Sequence, residues 1–381
     1  MKGDFSRVTF DVTKHFRRVL MQQGRVQLDS DWNEQAAILL HYLQSLAKDL
    51  IGEHGGPKGN SAFKIAFTDN KNDFTISNGH YYVDGILCEN EGDEKDIEGL
   101  FKYSTQPYYP LNPKDDALPV DKPFLVYLDV WEQHITSIED PNIREVALGD
   151  TDTATRARVV WQIKIGIPND IETKKDLKDW KEGGEQWEKW KEKWQPANRG
   201  MLKAKAKQDQ KKDTPCNTSP DSSYRGTENQ LYRIEVHNGS GDSSTGNTPA
   251  TFKWARDNGS VVAGIKLSGN ELTVDNPRGF SVGQWVELTN DKQELRGIAG
   301  SLWKIKKIDG DIFTLDVSSA INKPIDVLPQ EKWPTKARRW DSTEITIVEN
   351  KDDRWITLAD GIQIQFQPSI SEINRYRTGD Y

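Results

Sequence analysis

Apolar residues recur at steps of four and three along the stretch from Met21 to Gly52, the longest helical pattern in the chain. Residues three or four apart share one side of a helix, so these positions would form a single stripe. The stripe consists of Trp32, Ala36, Leu39, Leu43, Leu46 and Leu50. We predict an amphipathic helix that is capped by Asp31 and stopped by Gly52. So wide an apolar face must be covered by a sheet, another helix or another subunit.

The segment before this helix has a short, extended pattern and is dense in charges of both signs. Val8, Phe10 and Val12 alternate with polar residues, as expected for extended chain. One interpretation is a solvated arm with a few salt bridges, and the other is an arm that docks onto a partner subunit. For the docking interpretation, the candidate residues of the arm and helix are Arg17, Arg25, Trp32, Leu39, Leu43 and Leu46.

After about residue 60 the patterns are those of β-strands. Turn pairs such as Asn78-Gly79 and Asp84-Gly85 separate short apolar stretches. The near-continuous apolar run from Phe124 to Trp131 is typical of a central strand. Closely spaced strands after Val261 indicate a small barrel or sandwich. We therefore predict a mainly β chain with one long N-terminal amphipathic helix, a small helical insert, and a multi-part β-sandwich and small β-barrel architecture.

Changes of pattern divide the chain into predicted parts. Strand-like stretches, polar loops and the last hairpin set the divisions. The parts are an N-terminal arm and helix at 1–60, a β-rich body at 61–255, a small β-barrel-like domain at 256–345 and a C-terminal hairpin at 346–381. We expect that final hairpin to return to the body.

An insert at about 169–215 interrupts the body and mixes tryptophan with lysine and glutamate. Three of its tryptophans share one helical face, and a fourth lies seven residues upstream. We expect this stripe to pack onto the sheet, whereas the alternative is a surface platform that stacks on bases or sugars. The candidate surface aromatic stripe is Trp180, Trp187, Trp190 and Trp194.

Charge and hydropathy exclude some partners. The formal net charge of −8 over 381 residues disfavours nucleic acid, because binding phosphates requires a concentrated positive face. No stretch approaches the ~18 apolar residues of a membrane helix, so we expect no membrane insertion. The first residues lack the apolar centre of a signal peptide, and the two cysteines lie far apart. We expect synthesis in the cytoplasm without a signal peptide.

Local spacings that carry catalysis or metal binding are missing from the sequence. The six histidines and two cysteines form no HxxxH, HExxH or CxxC pattern, and no nucleophile elbow or phosphate loop occurs. Asp129 and Glu132 beside Trp131 are the most suggestive carboxylates for acid–base chemistry, although an aspartate paired with an indole N–H is the commoner arrangement. We expect no catalytic residues, no metal, no cofactor and no enzyme activity.

Long blocks of the sequence resemble one family. These blocks are MKGDFSRVTFDVTKHF, VLMQQGRVQLDSDWNEQAAIL, YYVDGILCEN, YLDVWEQHITSIEDPNIREVALGDTDTATRARVVWQIKI, YRGTENQLYRIEVHNG, FKWARDNGSVV, WITLADGIQIQF and YRTGDY. They resemble an uncharacterised protein family found beside phage-tail-like contractile injection systems. The resemblance implies a structural or accessory role at the baseplate, spike or fibre of a particle that is released from the cell. It also implies that relatives continue beyond the position of Tyr381.

Three functions remain open from the sequence. The favoured one is a non-enzymatic assembly component whose partners are other subunits of a contractile injection particle, with a homo-oligomer expected within the assembly. The second is a glycan- or receptor-binding module of the same particle. The third is a tail-associated cell-wall hydrolase.

Overall fold

The chain forms two compact units in the computed structural model. Unit 1 comprises Met1 and Val8–Trp190, and unit 2 comprises Lys2–Arg7 and Lys191–Tyr381. The division falls inside the predicted insert, at a position where the sequence pattern placed no boundary. The residues described are 1–59, 61–68, 72–96, 98–112, 115–119, 122–166, 184–192, 195, 200–207, 226, 230–240, 249–322, 334–349, 354–369 and 374–381.

Unit 1 combines one long helix with short antiparallel sheets. Its helices are α1 (Asp29–Ile51) and α2 (Glu185–Lys191), of which all but the last residue belongs to this unit. The strands are β1 (His54–Gly55), β2 (Ile65–Phe67), β3 (Phe74–Ile76), β4 (Gly79–Val83), β5 (Ile86–Asn90), β6 (Phe101–Lys102), β7 (Leu125–Ile135), β8 (Arg144–Glu145), β9 (Thr151–Asp152) and β10 (Arg156–Gly166). They pair in the orders β1-β4-β5, β2-β3-β6, β7-β10 and β8-β9.

The core of unit 1 lies on one face of the β7-β10 pair. Trp161 and Ile163 of β10 pack there with buried aromatic and aliphatic residues of β3. Val126, Leu128 and Val130 of β7 join them, because alternate residues of a strand share a face. Within the described residues β7 pairs with β10 alone. The apolar run therefore does not mark a central strand; alternating β7 residues pack against the core on one face.

Unit 2 is built around a closed six-stranded barrel, in the order β14-β15-β18-β17-β16-β19. Two three-stranded sheets accompany it, in the orders β12-β13-β20 and β11-β22-β21. The elements are β11 (Met201–Ala206), β12 (Arg233–Val236), β13 (Thr251–Ala255), β14 (Val262–Ser268), β15 (Glu271–Val274), β16 (Trp285–Asn290), α3 (Asp291–Leu295), β17 (Ser301–Asp309), β18 (Ile312–Ile321), β19 (Thr335–Trp340), β20 (Ile345–Thr346), β21 (Ile356–Thr357) and β22 (Ile362–Gln367). The predictions of a mainly β chain and of a small barrel are confirmed.

The barrel is closed around a tightly packed apolar interior. Leu272, Val286 and Phe313, from three different strands, are fully buried in it. Their neighbours along each strand point outward, as the two-residue period of a strand requires. A second cluster, which includes Phe252 and Phe366, lies between the accompanying sheets. Among the described residues, no helix is both long and apolar enough to cross a membrane.

The N-terminal cap of α1 differs from the prediction. The helix begins at Asp29, so Asp31 lies within its first turn. There the carboxylate of Asp31 accepts a hydrogen bond from the backbone N–H of Leu28 at 3.2 Å. An acidic side chain in the first turn satisfies a free N–H and complements the positive end of the helix dipole. Gly52, the predicted stop, follows the last helical residue.

Candidate functional site

The N-terminal arm holds one side of α1 through polar contacts. Thr9 donates its hydroxyl hydrogen to Glu34 with an oxygen–oxygen distance of 2.6 Å. The backbone N–H of Val19 donates to the side-chain oxygen of Gln35 at 2.9 Å. Both contacts use polar helix residues, so the side of α1 that the arm covers is largely its polar side.

The hairpin between β4 and β5 supports the second half of α1. Lys48 of the helix forms an ion pair with Asp84 at 2.5 Å. Gly85 follows in the turn with φ of +79°, and a Cβ there would lie 2.2 Å from the carbonyl oxygen of Gln44. Only glycine allows the turn and helix backbones to approach this closely. The contact fixes the rotation of α1 about its own axis.

This rotation leaves the apolar stripe of α1 exposed. Trp32, Leu43 and Leu50 are 63%, 59% and 77% exposed, respectively. Only Ser30 and Ile38 of this helix are buried. We define the docking face as Trp32, Ala36, Leu39, Leu43, Leu46 and Leu50, all of which are exposed. The β body of the same chain does not cover this stripe in the structure.

The arm adds further exposed residues beside α1 in the sequence. Arg17 and Arg25, the two predicted docking residues of the arm, are both exposed. Exposed large apolar residues accompany them in the same segment, namely Val8, Val12, Phe16, Leu20, Met21 and Val26. The arm thus carries both charge and apolar surface that are available to another molecule.

The candidate aromatic stripe of the insert is not a continuous surface feature. Trp190 is only 8% exposed, and its ring centroid lies 5.2 Å from that of Tyr127 on β7. Gly166 lies so close that a Cβ there would be 2.3 Å from the Trp190 ring. Trp187 contacts Trp190 with ring centroids 5.4 Å apart. The remaining two members lie outside the described residues, namely Trp180 and Trp194.

The suggested acid–base pair on β7 does not form. The ammonium of Lys164 on the neighbouring strand binds Asp129 at 2.5 Å, so this carboxylate pairs with a lysine and not with the indole of Trp131. Glu132 is exposed and lies three positions further along. Residues separated by an odd number of positions lie on opposite faces of a strand. The two carboxylates therefore cannot face one substrate together.

Unit 2 contains a buried charge cluster that consists of Arg233, Glu235, His237, Lys253 and Glu287, joined by the partly exposed Lys2. Lys253 on β13 lies at its centre, with Nζ 2.5 Å from Glu287 Oε1 and 3.4 Å from Glu235 Oε1. The other oxygen of Glu287 accepts the indole N–H of Trp340 at 2.9 Å. Carboxylates on β12 and β16 are thereby joined through one ammonium group.

The N-terminal segment enters this cluster through Lys2. Its ammonium lies 3.0 Å from Glu235 Oε1, and the guanidinium of Arg233 donates to Glu235 Oε2 at 2.7 Å. Burial opposes the ionisation of Glu235, but Lys2, Lys253 and Arg233 outweigh it and hold the pKa of this carboxyl well below its usual range. Lys2 is therefore anchored within unit 2 by an ion pair to a buried carboxylate.

His237 completes the cluster as a neutral side chain. Burial, followed by the nearby charge of Lys253, lowers the pKa of His237 to about 4. The Lys253 ammonium lies 3.2 Å from Nδ1, which can accept a hydrogen bond only when it is unprotonated. His237 and Lys253 are at most 2% exposed, so no substrate reaches them in this structure. The arrangement stabilises unit 2 and offers no accessible reactive group.

Sequence reasoning missed this cluster, although a signal was present. In the stretch Arg233–His237 charged or titratable residues alternate with Ile234 and Val236. Period-two alternation usually places the polar side toward water. In this strand the polar side chains face charged side chains of β13 and β16 instead. Only the arrangement of distant strands distinguishes the two cases.

Comparison with known proteins places the chain in a family without assigning an activity. No curated protein matches it, and no solved structure matches it. One family model, described as a family of unknown function, matches residues 1–186 and 196–381. These two ranges contain α1, the arm and the buried charge cluster. The chain belongs to this family of unknown function, DUF6519.

Proposed function

We propose that this protein is a non-enzymatic assembly component of a phage-tail-like contractile injection particle, at its baseplate, spike or fibre. It docks onto a neighbouring subunit through the docking face of α1 and the N-terminal arm. The resemblance of the sequence blocks supports the kind of particle. The exposure of the docking face supports the mode of attachment, and it is the observation that carries the proposal.

The exposed apolar face of α1 is more typical of a docking surface than of a helix that remains in water. Large contiguous apolar patches on a protein surface usually mark interaction sites, because leaving them in water costs free energy. In this proposal α1 is an amphipathic helix whose apolar side is covered only after docking. Its polar side is already held by Thr9 and Lys48 contacts, so little ordering of the helix opposes binding.

Arg17 and Arg25 supply the polar part of the contact. Both are exposed on the segment that precedes the docking face. Charged side chains at the rim of an apolar interface act mainly on the rate at which the partners approach each other. The partner surface proposed is therefore apolar at its centre and polar at its edge.

Gradient sedimentation of the assembled particle tests the proposal. The chain is produced together with the sheath-and-tube particle, once as wild type and once as Leu43→Glu. Glutamate preserves helix propensity while it places a charge in the apolar face. We expect the wild type to sediment with the particle and Leu43→Glu to remain at the top of the gradient.

A matched control separates docking from a general effect of added charge. Val282 is 60% exposed in a turn of unit 2, so Val282→Glu makes the same kind of change away from the docking face. This variant should sediment with the particle. A wild-type chain that stays at the top of the gradient contradicts the assembly role. Selective binding on a glycan array, or clearing of a peptidoglycan suspension, would then favour the binding-module or hydrolase function instead.

A further inference from the structure

The docking face of α1 has the spacing of a coiled-coil seam. Steps of four and three separate its members from residue 32 to residue 50, which is a seven-residue repeat. In heptad notation Ala36, Leu43 and Leu50 occupy a positions. The d positions are Trp32, Leu39 and Leu46. A strict a and d repeat is the pattern of a helix that packs along another helix, with side chains of one inserted between those of the other.

The structure presents this seam outward along its whole length. The f positions, which lie opposite the seam, are Glu34, His41 and Lys48. Each contacts unit 1: Glu34 accepts from Thr9, the His41 ring lies 5.7 Å from that of Phe10, and Lys48 pairs with Asp84. The back of the helix is thus held by its own unit while the a and d positions are exposed.

The flanks of the seam contain almost no charge. Positions e and g decide which helices pair, because charges there attract or repel the facing helix. In α1 the e positions are Asn33, Leu40 and Ala47, and the g positions are Gln35, Tyr42 and Asp49. Asp49 alone is charged. Two identical copies therefore bring no row of like charges together, and nothing in the flanks selects a different, complementary helix.

The exposed surface is large enough for a stable contact. Seven large apolar side chains on the seam and its flanks are exposed, namely Trp32, Leu39, Leu40, Tyr42, Leu43, Leu46 and Leu50. Together they expose on the order of 1,000 Å², comparable to the ~800 Å² that each partner buries in a standard specific interface. Self-association through identical patches is also the commonest way in which soluble proteins form oligomers.

We propose that the occupant of the docking face is α1 of a second copy of this chain, so that the protein self-assembles through a helix–helix seam. This rests on the proposed function, since it names the partner of the same face. The a and d leucines of each copy fill the spaces between those of the other. Leu40 and Tyr42 extend the apolar contact at its edges.

Sedimentation velocity of the purified full-length chain, with no other particle component present, tests this partner. The wild type should sediment as an oligomer whose apparent mass rises with concentration. Leu43→Glu should raise the dissociation constant by at least roughly 30-fold, because a central leucine of the seam is replaced by a charge. Leu43→Met keeps an apolar side chain of similar volume and should retain the oligomer.

The controls distinguish a loss of self-association from unfolding and from docking onto a different subunit. Val282→Glu should sediment like the wild type, and the circular dichroism melting curve of Leu43→Glu should show that it remains folded. A wild-type chain that is monomeric at every concentration overturns the self-assembly proposal. If Leu43→Glu also fails to join the particle in that case, the docking face still binds, but to a different subunit. Unimpaired incorporation of Leu43→Glu would overturn the docking function itself.

Discussion

The buried, neutral His237 of unit 2 makes stability depend on pH. His237 is fully buried beside Lys253 and Glu287, and its pKa is lowered to about 4. A histidine in the unfolded chain titrates near pH 6.5. Between these values the unfolded chain binds a proton that the folded chain does not. Stability therefore falls as the pH falls through this window.

Replacing His237 should remove this pH dependence. We expect the wild type to lose about 2 kcal/mol of unfolding free energy between pH 7.5 and pH 5 from this group. His237→Gln should lose correspondingly less. Glu287 does not interfere with this comparison. Burial opposes its ionisation, but Lys253 and Lys2 outweigh burial and lower its pKa. The stability that its carboxylate contributes is therefore lost only below the unfolded pKa near 4.5. Urea unfolding at the two pH values measures the difference, and equal losses in both proteins would contradict it.

Trp190 and Trp187 should differ sharply in what they contribute to stability. Trp190 is buried against Tyr127, whereas Trp187 is partly exposed. Trp190→Ala should cost about 3–5 kcal/mol through lost burial and a cavity. Trp187→Ala should cost less than half as much. Thermal melting of both variants measures the two losses of unfolding free energy. Equal losses would contradict the expected difference between the buried and the partly exposed tryptophan.

At the scale of elements, the orientation of α1 depends on a hairpin. Gly85 combines a positive φ with a close approach to the Gln44 carbonyl. Gly85→Ala should therefore destabilise the contact by more than the ~1 kcal/mol of backbone strain alone. Gly24 is a matched control, because its φ is +70° and no atom lies within 4 Å of a Cβ built there. Hydrogen exchange in α1 should accelerate in Gly85→Ala and stay near the wild-type rate in Gly24→Ala.

Equal exchange rates in the two glycine variants would contradict this account of α1. The rates would then reflect only the positive φ that both positions share. A larger effect in Gly24→Ala would instead place the support of the helix in the arm, with the hairpin contributing little.

The elements differ in how far their sequences predict them. The barrel strands alternate around Leu272 and Phe313 and are separated by tight turns, so local pattern suffices. The spacing of apolar residues in α1 predicts the stripe but not whether the stripe faces the core or the solvent. Stripe residues would normally turn inward, and the Lys48–Asp84 and Thr9–Glu34 contacts that turn them outward join residues far apart in the sequence. Local pattern carries no information about such contacts.

At the scale of the whole molecule, the chain's first residues belong to a different unit from the arm that follows them. Lys2–Arg7 is part of unit 2, and Lys2 pairs with the buried Glu235. Lys2→Ala should cost about 1.5–3 kcal/mol, the usual contribution of a hydrogen bond to a charged group. Lys14→Ala, at an exposed position of the arm, should cost much less. Urea unfolding compares the two, and a neutral Lys2→Ala would show that Arg233 and Lys253 alone satisfy Glu235.

In the proposed function the exposed docking face of α1 attaches this protein to an assembly. The most direct test is whether Leu43→Glu sediments with the particle in a density gradient. Leu43 is 59% exposed, so the variant should melt within about 0.5 kcal/mol of the wild type. We expect Leu43→Glu to remain folded and to separate from the particle, while Val282→Glu sediments with it. Co-sedimentation of Leu43→Glu at the wild-type level would contradict the claim.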